Sequence, residues 1–215
     1  GNVDLSCGCG EAGPSGCDNA CGSTLEFDDC GVCGGPGPYQ CNDGSFECNE
    51  DDCPDTIDYC LDLHSGANLI SFYGLPEDAS ITNMMSSIEG IATGVIGEGV
   101  AANYNESLGW MGSIDTMSPV SGYWVIVNDV SSLCIDDAVP TDTAIEYNLH
   151  VGANLISFPA EGSIELSIGF PDDIEGSISG IIGEGVAANY LNGVWSGSLS
   201  NFSGGEGYWV ITTDY

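Results

Sequence analysis

The chain contains no lysine and no arginine, and against 33 acidic side chains only His64 and His150 can carry positive charge. Lys and Arg normally make up roughly an eighth of residues, so their chance absence over this length is on the order of 10⁻¹². A net charge of −33 leaves nothing to neutralise a phosphate, which excludes nucleic acid and anionic lipid headgroups as partners. An active site would also lack the ordinary side-chain cations that stabilise developing negative charge. We read the chain as non-enzymatic, with no cofactor required. A run of eighteen apolar residues is missing too, so no membrane insertion is expected. The first residues, Gly1-Asn2-Val3-Asp4, have neither a basic n-region nor an apolar h-region, as expected of a mature product.

The same charge makes neighbouring copies repel unless salt screens it or divalent cations bridge it, over a Debye length of about 8 Å at physiological ionic strength. A saline exterior is the expected setting.

Cysteine, by contrast, is abundant and unevenly placed. Cys7, Cys9, Cys17, Cys21, Cys30, Cys33, Cys41, Cys48, Cys53 and Cys60 lie in the first sixty residues, and only Cys134 lies beyond. Such density implies disulfides and an oxidising compartment. Cys30-Gly31-Val32-Cys33 has a metal-site or redox spacing, but its neighbours are acidic and glycine-rich, which disfavours thiolate. The total of 11 is odd, so at least one thiol is expected to be free or to join another chain.

Sliding the second half of the chain over the first reveals a repeat. Leu63 to Phe72 returns as Leu149 to Phe158 with nine of ten positions identical, and Gly97-Glu98-Gly99-Val100-Ala101-Ala102-Asn103-Tyr104 recurs unchanged from Gly183 to Tyr190. Gly122-Tyr123-Trp124-Val125-Ile126 returns as Gly207-Tyr208-Trp209-Val210-Ile211, the offset shortening from 86 to 85. The expected organisation is a cysteine-rich segment over 1–54, a β repeat over 55–128, a linker over 129–140 and a second β repeat over 141–215.

Each copy opens on apolar alternation, Ile57, Tyr59, Leu61 and Leu63 in the first and Ile145, Tyr147 and Leu149 in the second, which predicts a half-buried strand. A Gly-Ala-Asn turn, a buried strand to Phe72 or Phe158, and a bent strand over 94–104 or 180–190 follow. Gly-Tyr-Trp-Val-Ile closes each copy as a strand. The spacing over 80–88 predicts a short helix capped by Asp78 or Ser80, and Pro171 predicts a shorter or irregular one in the second copy. The fold class is therefore mainly β: a disulfide-rich irregular segment, then two small barrel or sandwich domains with at most one short helix each.

Phe27-Asp28-Asp29-Cys30-Gly31-Val32-Cys33-Gly34-Gly35 resembles a cysteine-rich unit of secreted bacterial surface proteins and some animal extracellular proteins. The run from Cys41 to Cys48, followed by Asp51-Asp52-Cys53-Pro54, is similar to the unit that often accompanies it. The Gly-Ala-Asn-Leu-Ile-Ser-Phe to Gly-Tyr-Trp-Val repeat resembles β repeats in large secreted proteins of marine bacteria. These resemblances imply an extracellular or cell-surface location and carry no defined activity.

Several side chains qualify as sites. Asp28, Asp29, Asp43, Glu50, Asp51 and Asp52 supply hard oxygens for calcium, although none follows an EF-hand spacing. Trp110, Tyr123, Trp195 and Tyr208 are candidates for a subunit interface or for stacking on carbohydrate. Asn105 and Asn201 begin glycosylation sequons, expected in equivalent turns. His64 with His150, and Glu98 with Glu184, occupy duplicate positions and read as copied architecture in separate domains. The favoured function is a self-assembling filament, sheath or surface-layer subunit, with an adhesin or carbohydrate-binding module as the alternative.

Overall fold

The two copies of Gly-Tyr-Trp-Val-Ile each form an interior strand of a five-stranded sheet, flanked on both sides by antiparallel neighbours. The computed structural model describes residues 7, 13–40, 46–53 and 56–213. The chain divides into two compact units, Gly1–Asp55 and Thr56–Tyr215.

In the first unit, β1 (Pro14–Ser15) pairs with β2 (Ala20–Cys21) and β3 (Tyr39–Gln40) pairs with β4 (Phe46–Glu47). None of its described residues is fully buried, so cross-links take the place of a core. They are Cys7–Cys21, Cys17–Cys33 and Cys30–Cys48, and Cys53 is also disulfide-bonded. Each closes a loop of 14 to 18 residues, a length for which restriction of the unfolded chain contributes roughly 3 kcal/mol. Cys9 and Cys41, on which the fate of the odd cysteine turns, lie outside the described residues.

The second unit contains both copies. The first copy runs β5 (Ile57–Leu63), β6 (Gly66–Ser71), β7 (Gly74–Leu75), α1 (Ile81–Met84), β8 (Ala92–Ile96), β9 (Ala101–Asn105), β10 (Gly109–Gly112), β11 (Gly122–Val127) and β12 (Ser131–Pro140). The second runs β13 (Gly152–Ile156), β14 (Ser163–Glu165), α2 (Leu166–Gly169), α3 (Asp172–Glu175), β15 (Ile178–Ile182), β16 (Ala187–Leu191), β17 (Val194–Gly197), β18 (Asn201–Ser203) and β19 (Tyr208–Thr212). The main sheets have matching orders, β10-β9-β8-β11-β6 and β17-β16-β15-β19-β13. Both are open, and the protein is mainly β with no closed barrel among the described residues.

Period-two burial follows the sequence. Along β11, Tyr123, Val125 and Val127 are buried while Trp124 and Ile126 are half-buried on the other face. Gly112 and Gly197 end β10 and β17 where a Cβ would lie 2.1 Å from the carbonyl oxygen of Ala101 or Ala187, so only glycine lets the hairpins close.

The structure departs from the sequence reading in several places. The 129–140 segment, expected as a linker, supplies β12, which pairs with β5, is joined to it by Cys60–Cys134, and also pairs with β7. The stretches 94–104 and 180–190 are hairpins, not single bent strands, because Gly97–Val100 and Gly183–Val186 close as turns with Gly99 and Gly185 at positive φ. In the second copy Pro171 divides the helical region into α2 and α3, whereas Ser80 caps α1 in the first through the amide of Asn83. Finally, Ile145, Tyr147 and Leu149 belong to no strand.

Candidate functional site

Gly-Ala-Asn, expected as a turn, instead opens β6 and β13 as strand, and the bend falls just before it, at His64-Ser65 and His150-Val151, where the asparagine side chain holds it. Asn68 is buried, accepts the amide of His64 at 2.9 Å and donates to the carbonyls of His64 (2.9 Å) and Gly66 (3.2 Å). Gly66, at φ 110°, supplies a conformation that a side chain rarely adopts. Asn154 and Gly152 repeat the arrangement around His150. Each histidine is thereby fixed at the rim of its sheet, beside the first residues of β6 or β13.

Each Gly-Glu-Gly turn presents its glutamate to the opposite copy. Glu184 accepts from His64 Nε2 at 2.5 Å through Oε1 and from the Leu69 amide at 2.7 Å through Oε2. Reciprocally, Glu98 accepts from His150 Nε2 through Oε1 and from the Leu155 amide at 2.8 Å through Oε2. The remaining ring nitrogen of each histidine faces the carbonyl of the next residue, Ser65 or Val151, at 2.9 Å. Both ring nitrogens thus point at acceptors, an arrangement only the doubly protonated imidazolium satisfies. The His64 pKa is raised by the bond to Glu184 and then by the Ser65 carbonyl. That of His150 is raised by the Val151 carbonyl and then by Glu98.

Backbone bonds complete this reciprocal contact. Ser71 donates its amide to Gly205 O and Gly207 donates to Leu69 O, while Ser157 donates to Val120 O. Ile70 bridges to Glu206 and Ile156 to Ser121. Leu69 and Leu155 are buried at 3% and 4% exposure although they lie outside both copies' own cores. Leu155 sits against Gly122, and Leu69 sits against Gly207. The contact has the form of a two-fold dimer interface contained in one chain.

The duplicate histidines and glutamates therefore belong together, not to separately placed domains. Their signal in the sequence was the retention of both partners in both copies, together with the absence of any other side-chain cation. What sequence could not supply was the crossing of the pairs from one copy to the other.

The other candidate residues fall elsewhere. Asp28 accepts amides of Cys30 (3.1 Å), Val32 (2.7 Å) and Gly37 (3.0 Å), and these bonds, Val32 foremost, hold its pKa below the ordinary carboxylate value. Its oxygens organise the Cys-Gly-Val-Cys loop. Glu50 accepts from Tyr39 and Asp52 from Asn49, while Asp29 and Asp51 are exposed. Asp43 lies outside the described residues. Among the described residues no three acidic, thiol or imidazole groups converge as a metal site.

Tyr123 and Tyr208, expected as interface or glycan-facing rings, are core residues at 4% and 0% exposure, because their strand register turns them inward. Each hydroxyl accepts a backbone amide, from Ser118 in a loop or from Ser203 at the end of β18. Trp110 and Trp195 are half-buried opposite Tyr104 and Tyr190, and Trp195 Nε1 donates to Glu175 at 2.7 Å. The sequons are not equivalent: Asn105 caps the turn after β9, accepting the amides of Ser107 and Leu108, whereas Asn201 begins β18. No family model, curated protein or solved structure matches this chain.

Proposed function

We propose that the protein is a non-catalytic, self-assembling subunit of an extracellular or cell-surface structure. The observation that carries this reading is a pair of open sheet edges: among the described residues, β10 and β17 are outermost in their sheets and pair on one side only. Unpaired edges accept strands from other chains, and globular monomers normally blunt them. The charged side chains that might otherwise serve chemistry are engaged in architecture, Glu98 and Glu184 with backbone amides and imidazoles and Asp28 with its own loop. The disulfides fit an oxidising exterior. A charge of −33 per copy makes assembly depend on salt or divalent cations such as calcium.

Negative-stain microscopy of the purified chain across ionic strength tests the proposal. Ordered polymers at high salt or with calcium, dispersing at low salt, are the expected result. Dispersed particles under all conditions at high protein concentration would refute it.

A further inference from the structure

Acidic residues, 33 in 215 positions, are spread along the whole chain, yet none falls between Glu184 and Glu206. The 21 residues from Gly185 to Gly205 form its longest run without a carboxylate, and neither histidine lies in it. This run holds β16 and β17, the outer two strands of the second copy's main sheet, and β18. The matching margin of the first copy is interrupted by Glu106 in the turn before β10 and by Asp115 after it.

The edge of β17 has a defined hydrogen-bonding pattern. Asn192 and Gly193, at φ 54° and 80°, close the tight turn from β16 to β17, with Leu191 opposite Val194. Further along, the Ser198 amide donates to Ala187 O. Residues of an antiparallel ladder bond alternately to one side and the other, so Val194 and Ser196 face β16 as Ser198 does. Trp195 and Gly197 therefore turn their N–H and C=O groups outward, and among the described residues β17 pairs with β16 alone. Beside this edge lies a groove of about 600 Å³, lined by Val194, Trp195, Gly197, Glu165, Glu175 and Ser200 among others. Of its two carboxylates, Glu175 is engaged by Tyr190 and Trp195. The opposite margin of each sheet is already in use within the chain: Leu69 and Ser71 of β6 bond to Glu184 and Gly205, and Leu155 of β13 bonds to Glu98.

We propose that β17 pairs antiparallel with β17 of a second copy across a two-fold axis, merging two five-stranded sheets into one. The inference rests on the self-assembly reading above and names its first contact. Like charges directly opposite one another across strands are destabilising, so copies that each carry a net charge of −33 meet best along the uncharged run.

The outward groups fix the register. Trp195 lies opposite the partner's Gly197 and Gly197 opposite the partner's Trp195, with Ser196 on the axis facing its own copy. A register centred on Trp195 would need Gly193, which is held in the turn at positive φ. One centred on Gly197 would need Leu199, whose amide is already bonded to Ala187 O. In the Ser196-centred register the Asn192-Gly193 turn meets the partner's Leu199 and the partner's Ser200, all uncharged. The same pairing of β10 would set Glu106 beside the partner's Asp115 on both sides of the axis, which requires screening or bridging cations. Pairs joined at β17 therefore form at lower salt than polymers do, and each pair keeps two β10 edges for further contacts.

The opposed Ser196 residues supply the test, since Cys60 and Cys134, directly opposite across β5 and β12, close a disulfide with Cα atoms 4.0 Å apart. In the full chain at physiological ionic strength, mild oxidation of Ser196→Cys should give a covalent dimer on non-reducing gels, with no ladder beyond it, that reverts on reduction and is absent from the unmodified chain. A variant that stays monomeric, or that cross-links only when Met111→Cys is added on β10, would overturn the pairing. Independently, Ser196→Asp sets two carboxylates face to face and should raise the dimer dissociation constant, measured by sedimentation equilibrium, at least about tenfold with an unchanged far-UV circular dichroism spectrum. Val130→Asp, at a 74% exposed position between β11 and β12, should leave that constant unaltered. Equal dissociation constants for the two variants would overturn the proposal even if polymers form at high salt, which would leave the assembly reading intact. Dimers that never polymerise at high salt would instead refute the assembly reading and support the β17 contact.

Discussion

His64 and His150 keep a second ring proton longer than a free imidazole does, because a carboxylate of the opposite copy and a backbone carbonyl both require a donor. Their folded-state pKa values are raised, while the unfolded value is about 6.5. Below that pH both states hold the proton and the stabilisation is complete; it is lost as pH rises through the folded-state values. The thermal midpoint of the second unit is therefore expected to fall as pH rises above about 6.5. In a His64→Asn/His150→Asn variant the change should flatten. A midpoint that is constant or rises in the unmodified chain would contradict the crossed pairs. Gly122 offers a second test at this scale, since a Cβ there would lie 2.8 Å from Ile156 O and from Leu155 Cδ1. Gly122→Ala is expected to cost about 1–3 kcal/mol in chemical denaturation, as is Gly207→Ala. Gly176→Ala, with nothing within 4 Å, is the control and should be near neutral.

At the scale of elements, the strands with strong period-two patterns were legible in advance, and β5, β6, β11, β13 and β19 fall where alternation and β-branched content put them. Glycine was harder to interpret. A Gly-Glu-Gly turn and a glycine-broken bend have the same composition, and only the hydrogen bond from Gly97 to Val100 O distinguishes them. The strand β12 was hidden because Asp136-Asp137 and Pro140 read as linker chemistry, whereas in the fold Asp137 takes a positive φ at an irregularity and donates its amide to Asp58. The missing strand over 143–149 has the opposite cause: its pattern is correct, but a strand exists only with a neighbour to pair with. Cys60–Cys134 closes 74 residues, so the Cys60→Ser/Cys134→Ser variant is expected to lose roughly 4 kcal/mol by the chain-entropy relation. Denaturant unfolding measures this; a loss under about 1 kcal/mol would mean that β12 is held by packing alone.

For the whole molecule, duplication did not produce two independent domains. The duplicated sheets are joined by contacts that each copy makes to the other, with both histidines used in the joint. An internal two-fold contact of this kind leaves β10 and β17 as the outer strands of their sheets among the described residues. The candidate site was half legible: the sequence held both members of each pair in duplicate, but the offset between copies says nothing about which glutamate reaches which histidine.

Each copy carries its own tryptophans, Trp110 and Trp124 in the first and Trp195 and Trp209 in the second, so its unfolding can be followed separately. In two full-length variants, one with Trp110 and Trp124 changed to Phe and the other with Trp195 and Trp209 changed to Phe, denaturant-induced fluorescence transitions report on opposite copies. If the copies form one cooperative body, the two midpoints coincide once each variant's own shift in stability, measured by circular dichroism, is taken into account. Two well-separated transitions, with one copy unfolding while the other remains native, would contradict the account.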